Sequence, residues 1–210
     1  MVNPDSELRE LVAAIVARDS ATVDGLIAGA PELARAAFSA GATRVDAKSN
    51  FVEAVGRSIY AGDTALHFAA AAYEAEMVRK LLVAGADVRA RNRRKDDPLH
   101  AAACGNPGSP FWNPAAQAAT IVCLVEAGAD PNAPNMDGAT PLHKAVRTRC
   151  AAAVRTLLDC GADPQLTNKN GSTSLLLAGL TTGRGGSGSP EAKAQQQEIV
   201  RILGEVLKAV

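Results

Sequence analysis

One six-residue phrase is written four times along this chain. Thr64-Ala65-Leu66-His67-Phe68-Ala69 returns as Asp97-Pro98-Leu99-His100-Ala101-Ala102, then as Thr140-Pro141-Leu142-His143-Lys144-Ala145. A worn copy, Thr173-Ser174-Leu175-Leu176-Leu177-Ala178, closes the series. Their first residues, 64, 97, 140 and 173, are 33, 43 and 33 positions apart. A second phrase, Gly85-Ala86-Asp87, returns at 128 and 161, which is 43 and then 33 positions on. Both phrases share the same lengthened middle interval, so they belong to one repeating unit. A chain built this way needs no single closed core, because each unit buries its apolar face against its neighbours.

Inside the unit, the copy at Thr64 shows the expected local structure. Thr64 can cap a helix start with its hydroxyl. Leu66, Ala69 and Ala70 then fall on one face. A break near Tyr73-Glu74 leads to a second helix over Met77–Ala84, with Val78, Leu81 and Leu82 inward, and Gly85 suits a left-handed end. The later pairs are expected over Leu99–Ala103 with Thr120–Ala127, Leu142–Thr148 with Ala151–Cys160, and Leu175–Leu180 with Gln195–Leu207. Val23, Leu26 and Ile27 lie 55 positions before Val78, Leu81 and Leu82. The pair Leu8–Arg18 and Ala21–Ala28 thus reads as an atypical capping repeat.

A period of 33 carrying the wording of residues 140–145 resembles the ankyrin repeat. That resemblance implies an all-α ankyrin-repeat solenoid of helix-turn-helix units joined by β-hairpin-like turns, about five repeats counting the caps. The expected divisions of the single domain 1–210 are a capping repeat 1–28, an insertion 29–61, central repeats 62–92, 93–135 and 136–168, and a C-terminal repeat 169–210. The Ala-rich wording with long inter-helix insertions looks like that of bacterial members. The resemblance implies a non-catalytic module that recognises another protein, as inhibitor, immunity protein or adaptor. A small-molecule or anion site built by paired insertion loops is the alternative.

Three stretches break the period. Residues 29–61 exceed a short hairpin by about 22 residues, with short helices expected at Glu32–Ala37 and Phe51–Val55. Residues 105–118 and 181–194 each lengthen the turn between the two helices of a repeat, and both pass through Gly, Ser and Pro into a helix. Such loops are often functional. One repeat separates them, so they should meet on one edge beside Arg147-Thr148-Arg149.

Composition narrows the partners. Lys and Arg number 22, Asp and Glu 22, for a formal net charge of +0. That balance argues against wholesale attraction to nucleic acid or anionic membrane. No run of about 18 apolar residues suggests a membrane span, and the start of the chain lacks the pattern of a signal peptide. Cys104, Cys123, Cys150 and Cys160 form no C-x-x-C pair and read as reduced thiols of a cytoplasmic protein. The expected state is a monomer without cofactor or metal.

The candidate partner-binding residues fall in three groups. Arg89, Arg91, Arg93, Arg94 and Lys95 crowd five cations onto one hairpin, which is either a solvated turn or a docking site. Phe111 and Trp112 lie in the second insertion. Trp is enriched in binding hot spots, but Trp112 is expected to anchor its own repeat. Arg147, Arg149 and Arg184 should converge near the paired loops. Gly183-Arg184-Gly185-Gly186-Ser187-Gly188 matches G-x-G-x-x-G literally, but no strand precedes it, so it does not read as a dinucleotide site. His67, His100 and His143 occupy one position per repeat, roughly 10 Å apart in a stack. That is too far to share a metal at bonds of about 2 Å; hydrogen bonding within the turn is expected instead. No nucleophile–base pairing, P-loop or H-E-x-x-H pattern appears.

Overall fold

The computed structural model describes residues 4–43, 48–109, 112–180 and 189–208. Ten helices are described: α1 (Pro4–Val16), α2 (Ser20–Gly29), α3 (Ala65–Ala71), α4 (Ala75–Val83), α5 (Pro98–Ala103), α6 (Pro114–Glu126), α7 (Pro141–Arg147), α8 (Ala151–Asp159), α9 (Ser174–Gly179) and α10 (Pro190–Lys208). The odd-numbered helices form an inner row, each packed on the next. Along the outer row α4 packs on α6, α6 on α8 and α8 on α10.

The two phrases work at opposite ends of the unit. In the first three copies a capping box joins the first residue of the phrase to the histidine three positions on. The N–H of Thr64 donates to Nδ1 of His67 at 3.1 Å, and Nε2 of His67 donates to the carbonyl of Asp96 in the next unit at 3.1 Å. His100 reaches the Ala139 carbonyl and His143 the Ser172 carbonyl, both at 3.0 Å. The histidines therefore bond within their own turns, as expected, and in addition tie each turn to the next. In the other phrase, Gly85, Gly128 and Gly161 take φ values of 92°, 97° and 88° at the ends of the outer helices. The aspartate two residues on then accepts the N–H of Arg89, Asn132 or Gln165, each at 2.8 Å.

Leu66, Leu99 and Leu142 are fully buried rungs of the inner row. Leu175, the fourth expected rung, is only half-buried, with α9 packed on α7 and α10.

The first insertion departs from expectation. The segment expected to be helical at Phe51–Val55 is a two-residue strand β1 (Phe51–Val52) followed by a 3-10 turn (Glu53–Val55). It pairs antiparallel with β2 (Arg57–Ser58). Gly56, at φ 59°, reverses the chain, and aromatic and β-branched residues favour the strand. Of the helix expected at Glu32–Ala37, only a 3-10 turn over Pro31–Ala34 forms. Phe38 is buried edge-on to Phe68, ring centroids 6.2 Å apart.

The second and third insertions partly lengthen the outer helices. α6 has 13 residues and α10 has 19, against 9 each in α4 and α8. Where the turn is tight, Arg18, Tyr73 and Arg149 adopt the left-handed conformation, φ 61°, 59° and 60°. Where an insertion follows, Cys104 and Leu180 leave the inner helix extended.

Candidate interaction surface

The basic hairpin follows from local sequence. Asn92 Oδ1 accepts the N–H groups of Arg94 and Asp96 at 2.9 and 3.1 Å, closing the tip. Lys95 stands at φ 57° where other copies have Gly62, Gly138 and Gly171. Four of its five cations are engaged within the molecule. Arg89 Nε donates to the Gly128 carbonyl at 3.0 Å. Arg35 reaches Gly85, and the Asn132 amide reaches Gly161, at the same 3.0 Å, so Arg89 is one stitch in an inter-repeat series. Arg91 Nη1 donates to the carbonyls of Lys95 and Pro134 at 2.7 and 2.8 Å. Arg93 lies over the Tyr60 ring at 5.0 Å and donates to the Ala42 carbonyl. Arg94 approaches Tyr60 at 5.7 Å and Asp137 at 3.7 Å. Lys95 is exposed.

Behind this hairpin lie buried carboxylates. Burial alone would raise the pKa of Asp96, but the Lys144 ammonium at 3.1 Å and the Asn135 amide at 2.8 Å outweigh it and hold the group below its usual value. Asp97 is likewise held low against burial by the hydrogen bond and charge of His100, 2.7 Å from Oδ1, with Arg91 adding to it. Burial pushes His67 and His143 down.

The inner face differs from repeat to repeat. In repeat two it is already covered. Arg57 of β2 lies 5.0 Å over the Phe68 ring, and its Nη2 meets both oxygens of buried Asp63 at 2.9 and 3.0 Å. Further along, Ala101, Lys144 and Leu177 occupy the place of Phe68 on α5, α7 and α9. Beside α7 and α9 a cavity of about 300 Å³ opens, with Arg147 and Arg149 on one wall and Leu177 and Leu180 on the other. Arg147 is exposed and Arg149 is buried.

The insertions meet the stack through glutamines. Gln117 Nε2 donates to the carbonyls of Ala102 and Cys104 at 2.9 and 3.2 Å. Gln196 repeats this on Ala178 and Leu180 at 2.8 and 3.0 Å. Trp112 Nε1 donates to Gln117 Oε1 at 2.9 Å and the ring is half-buried, so Trp112 anchors its own repeat. A Cβ placed on Gly108 would lie 3.9 Å from Ser189 Oγ, which brings the roots of the two loops together. Phe111, Arg184 and the 183–188 glycine run lie outside the described residues.

No catalytic assembly emerges from these groups. The four cysteines are free thiols, and burial pushes each upward, Cys150 to about 12. Raised in this way, they stay protonated and are poor nucleophiles near neutrality. Among the described residues no three His, Cys, Asp or Glu side chains group as metal ligands. No described helix is long and apolar enough to cross a membrane.

Several contributors escaped the sequence reading. The Arg35–Arg89–Asn132 stitches depend on carbonyls in the next repeat. The glutamine tether carried a legible signal: a Gln three or four residues before an isoleucine of the outer helix, Gln117 before Ile121 and Gln196 before Ile199. Arg57 and the Phe68 face it covers carried none.

The structure defines a stacked-repeat recognition scaffold, with an inner helix face and hairpin tips displayed by an apolar stack. Residues 61–93 match the family model described as "Ankyrin repeat", and residues 124–178 match "Ankyrin repeats (many copies)". The chain is also 38% identical over 96 residues to the E3 ubiquitin-protein ligase KEG of Arabidopsis thaliana. That match spans 44% of this chain and 5% of the relative. The chain thus carries ankyrin repeats, units that generally serve as protein–protein interaction modules.

Proposed function

We propose that this chain is a non-catalytic module that binds a partner protein along the inner face of α5, α7 and α9 and the adjoining hairpin tips. The observation that carries the reading is the contrast along that face. Repeat two is filled by the chain's own hairpin, while repeats four and five leave a cavity, with Met136 45% and Leu180 48% exposed. Stacked repeats present such a surface with little ordering cost on binding. The five cations 89–95 mainly hold the stack, with Lys95 free to meet a partner, and Arg147 and Arg149 contribute from the cavity. Four free thiols support residence in a reducing compartment.

A photo-crosslinking residue placed at Met136 or Leu177 should capture the partner from native extract. The same residue at Val122, on outer helix α6, should not. Capture from Val122 alone would end the reading. The alternative, a small-anion site, draws its support from the two arginines of the cavity; thermal-shift screening of dialysed protein against phosphorylated metabolites tests it.

A further inference from the structure

We propose that the cavity between α7 and α9 receives an acidic, apolar-flanked peptide segment of the partner, a carboxylate side chain meeting Arg147 while its apolar neighbour packs on Leu177 and Leu180. This rests on the protein-binding reading above and names the chemistry of the partner. Four observations lead to it.

The first is charge. Arg147 and Arg149 line the cavity, and no Asp or Glu does so among the described residues. Arg147 is exposed and makes no ion pair among the described residues. A concave wall bearing one sign of charge focuses its field and attracts the other sign. A guanidinium also matches a carboxylate in two parallel hydrogen bonds.

The second is the molecule's own precedent. In repeat two the inner face presents the buried carboxylate of Asp63 beside Phe68, and it holds a guanidinium from the hairpin, Arg57. The places of Asp63 are Ala139 and Ser172 in repeats four and five, and those of Phe68 are Lys144 and Leu177. Repeat three keeps the carboxylate as Asp96, which Lys144 pairs at 3.1 Å; beyond it that position has none, and Arg147 adds a cation with no ion pair among the described residues. The complementary ligand there is reversed in sign.

The third is the apolar wall. Leu180 is 48% exposed and joins Leu177, Ala178 and Ile199 along the cavity. A bare inorganic anion would leave that wall in water, whereas a peptide segment covers it. The fourth is size. About 300 Å³ is at the small end of ligand sites. It holds one or two side chains, as a peptide inserts.

The test uses the intact chain and a displayed library of random dodecamer peptides. Selected peptides are synthesised, their affinity is measured by fluorescence anisotropy, and their footprint is read by hydrogen exchange. Binders should be enriched in Asp or Glu next to Leu, Ile or Phe. They should protect α7 and α9 and weaken with salt. Arg147→Glu, a surface change checked by an unaltered melting temperature, should weaken them about tenfold or more, and a Glu→Lys peptide should recover part of the loss. Leu180→Ser should also weaken them. Binders without acidic enrichment, or indifferent to Arg147→Glu, yet protecting α5, α7 and α9, would overturn this inference and leave the protein-binding reading standing. Binders on the outer row alone, or no binders at all, would overturn both. If inorganic phosphate or succinate alone raises the melting temperature in an Arg147-dependent way while no peptide binds, the cavity is a small-anion site and the inference is wrong.

Discussion

Repeat two and repeat five carry versions of one phrase and give it different surroundings. In repeat two, Leu66, His67 and Phe68 are all fully buried, with α1 on one side, α5 on the other and the β1–β2 hairpin over the inner face. In repeat five, Leu175 and Leu177 are half-buried and Leu176, at the histidine position, is 55% exposed. His67 reaches a carbonyl in the next repeat; Leu176, at the same position, carries no group that could make such a bond. Burial in a solenoid is a property of neighbours, so the stability of a repeat depends on its own sequence and on the interfaces it shares.

The largest break in this comparison comes from the inward leucines. Leu66→Ala and Leu142→Ala should each destabilise by about 2–5 kcal/mol, since each leaves a cavity in a packed layer. Leu175→Ala should cost about half as much or less, in proportion to its partial burial. Urea melts measure this; equal losses at 66 and 175 would show that the C-terminal repeat is as enclosed as the interior.

The closed inner face of repeat two offers the next test. Arg57→Ala leaves the Asp63 carboxylate buried without its guanidinium, at a cost of about 3 kcal/mol. The corresponding change in the open region, Arg147→Ala, should alter stability by less than about 0.5 kcal/mol. A loss at 147 matching that at 57 would erase the distinction between the covered and the open face.

Acid should act on the interior ladder before the end of it. His67 and His143 have folded pKa values pushed below the ordinary 6.5, so the unfolded chain takes up their protons first. Their contribution is fully present above about pH 6.5 and is lost progressively as the pH falls toward the folded values. Asp96 and Asp97, also held low, add a second loss below the ordinary carboxylate value of 3.8. Leu176 contributes nothing to either step. Melting temperature should decline from pH 7 to 5. Nitrogen-15 NMR at pH 6 should show His67 and His143 neutral, with the proton on Nε2. Charged rings there at pH 6 would refute the account.

The smallest effect is at the hairpin tips. Lys95 holds a left-handed conformation, so Lys95→Gly should stabilise by about 0.5–1 kcal/mol. Gly171→Lys, placing the same residue at φ 71° in the hairpin of repeat five, should cost about 1 kcal/mol. If Lys95→Gly destabilises instead, the lysine is held by contacts that outweigh its strain.

Much of the scaffold was legible because it is local. The capping boxes need residues three apart, the left-handed glycines need only the absence of a Cβ, and the inward leucines recur with the period. The hairpin at residues 51–58 replaces the helix expected at Phe51–Val55, because its pairing, Val52 opposite Arg57, spans a left-handed glycine and a 3-10 turn that no simple period marks. The basic tip was visible as five cations. That Arg89 stitches to Gly128 and Arg93 lies on Tyr60 was not visible, since those partners are 39 and 33 positions away in the sequence.

The amino-acid sequence alone determined the repeat, its period, the helix ends and the rungs of the stack, because those are set by contacts within one unit or between identical positions of adjacent ones. Only the tertiary structure decided which part of the inner face is taken and which is open. That choice depends on an insertion folding back across α3 and on which helices pack against α9. Neither follows from local propensity, because whether a side chain is covered is settled by what the rest of the chain brings against it.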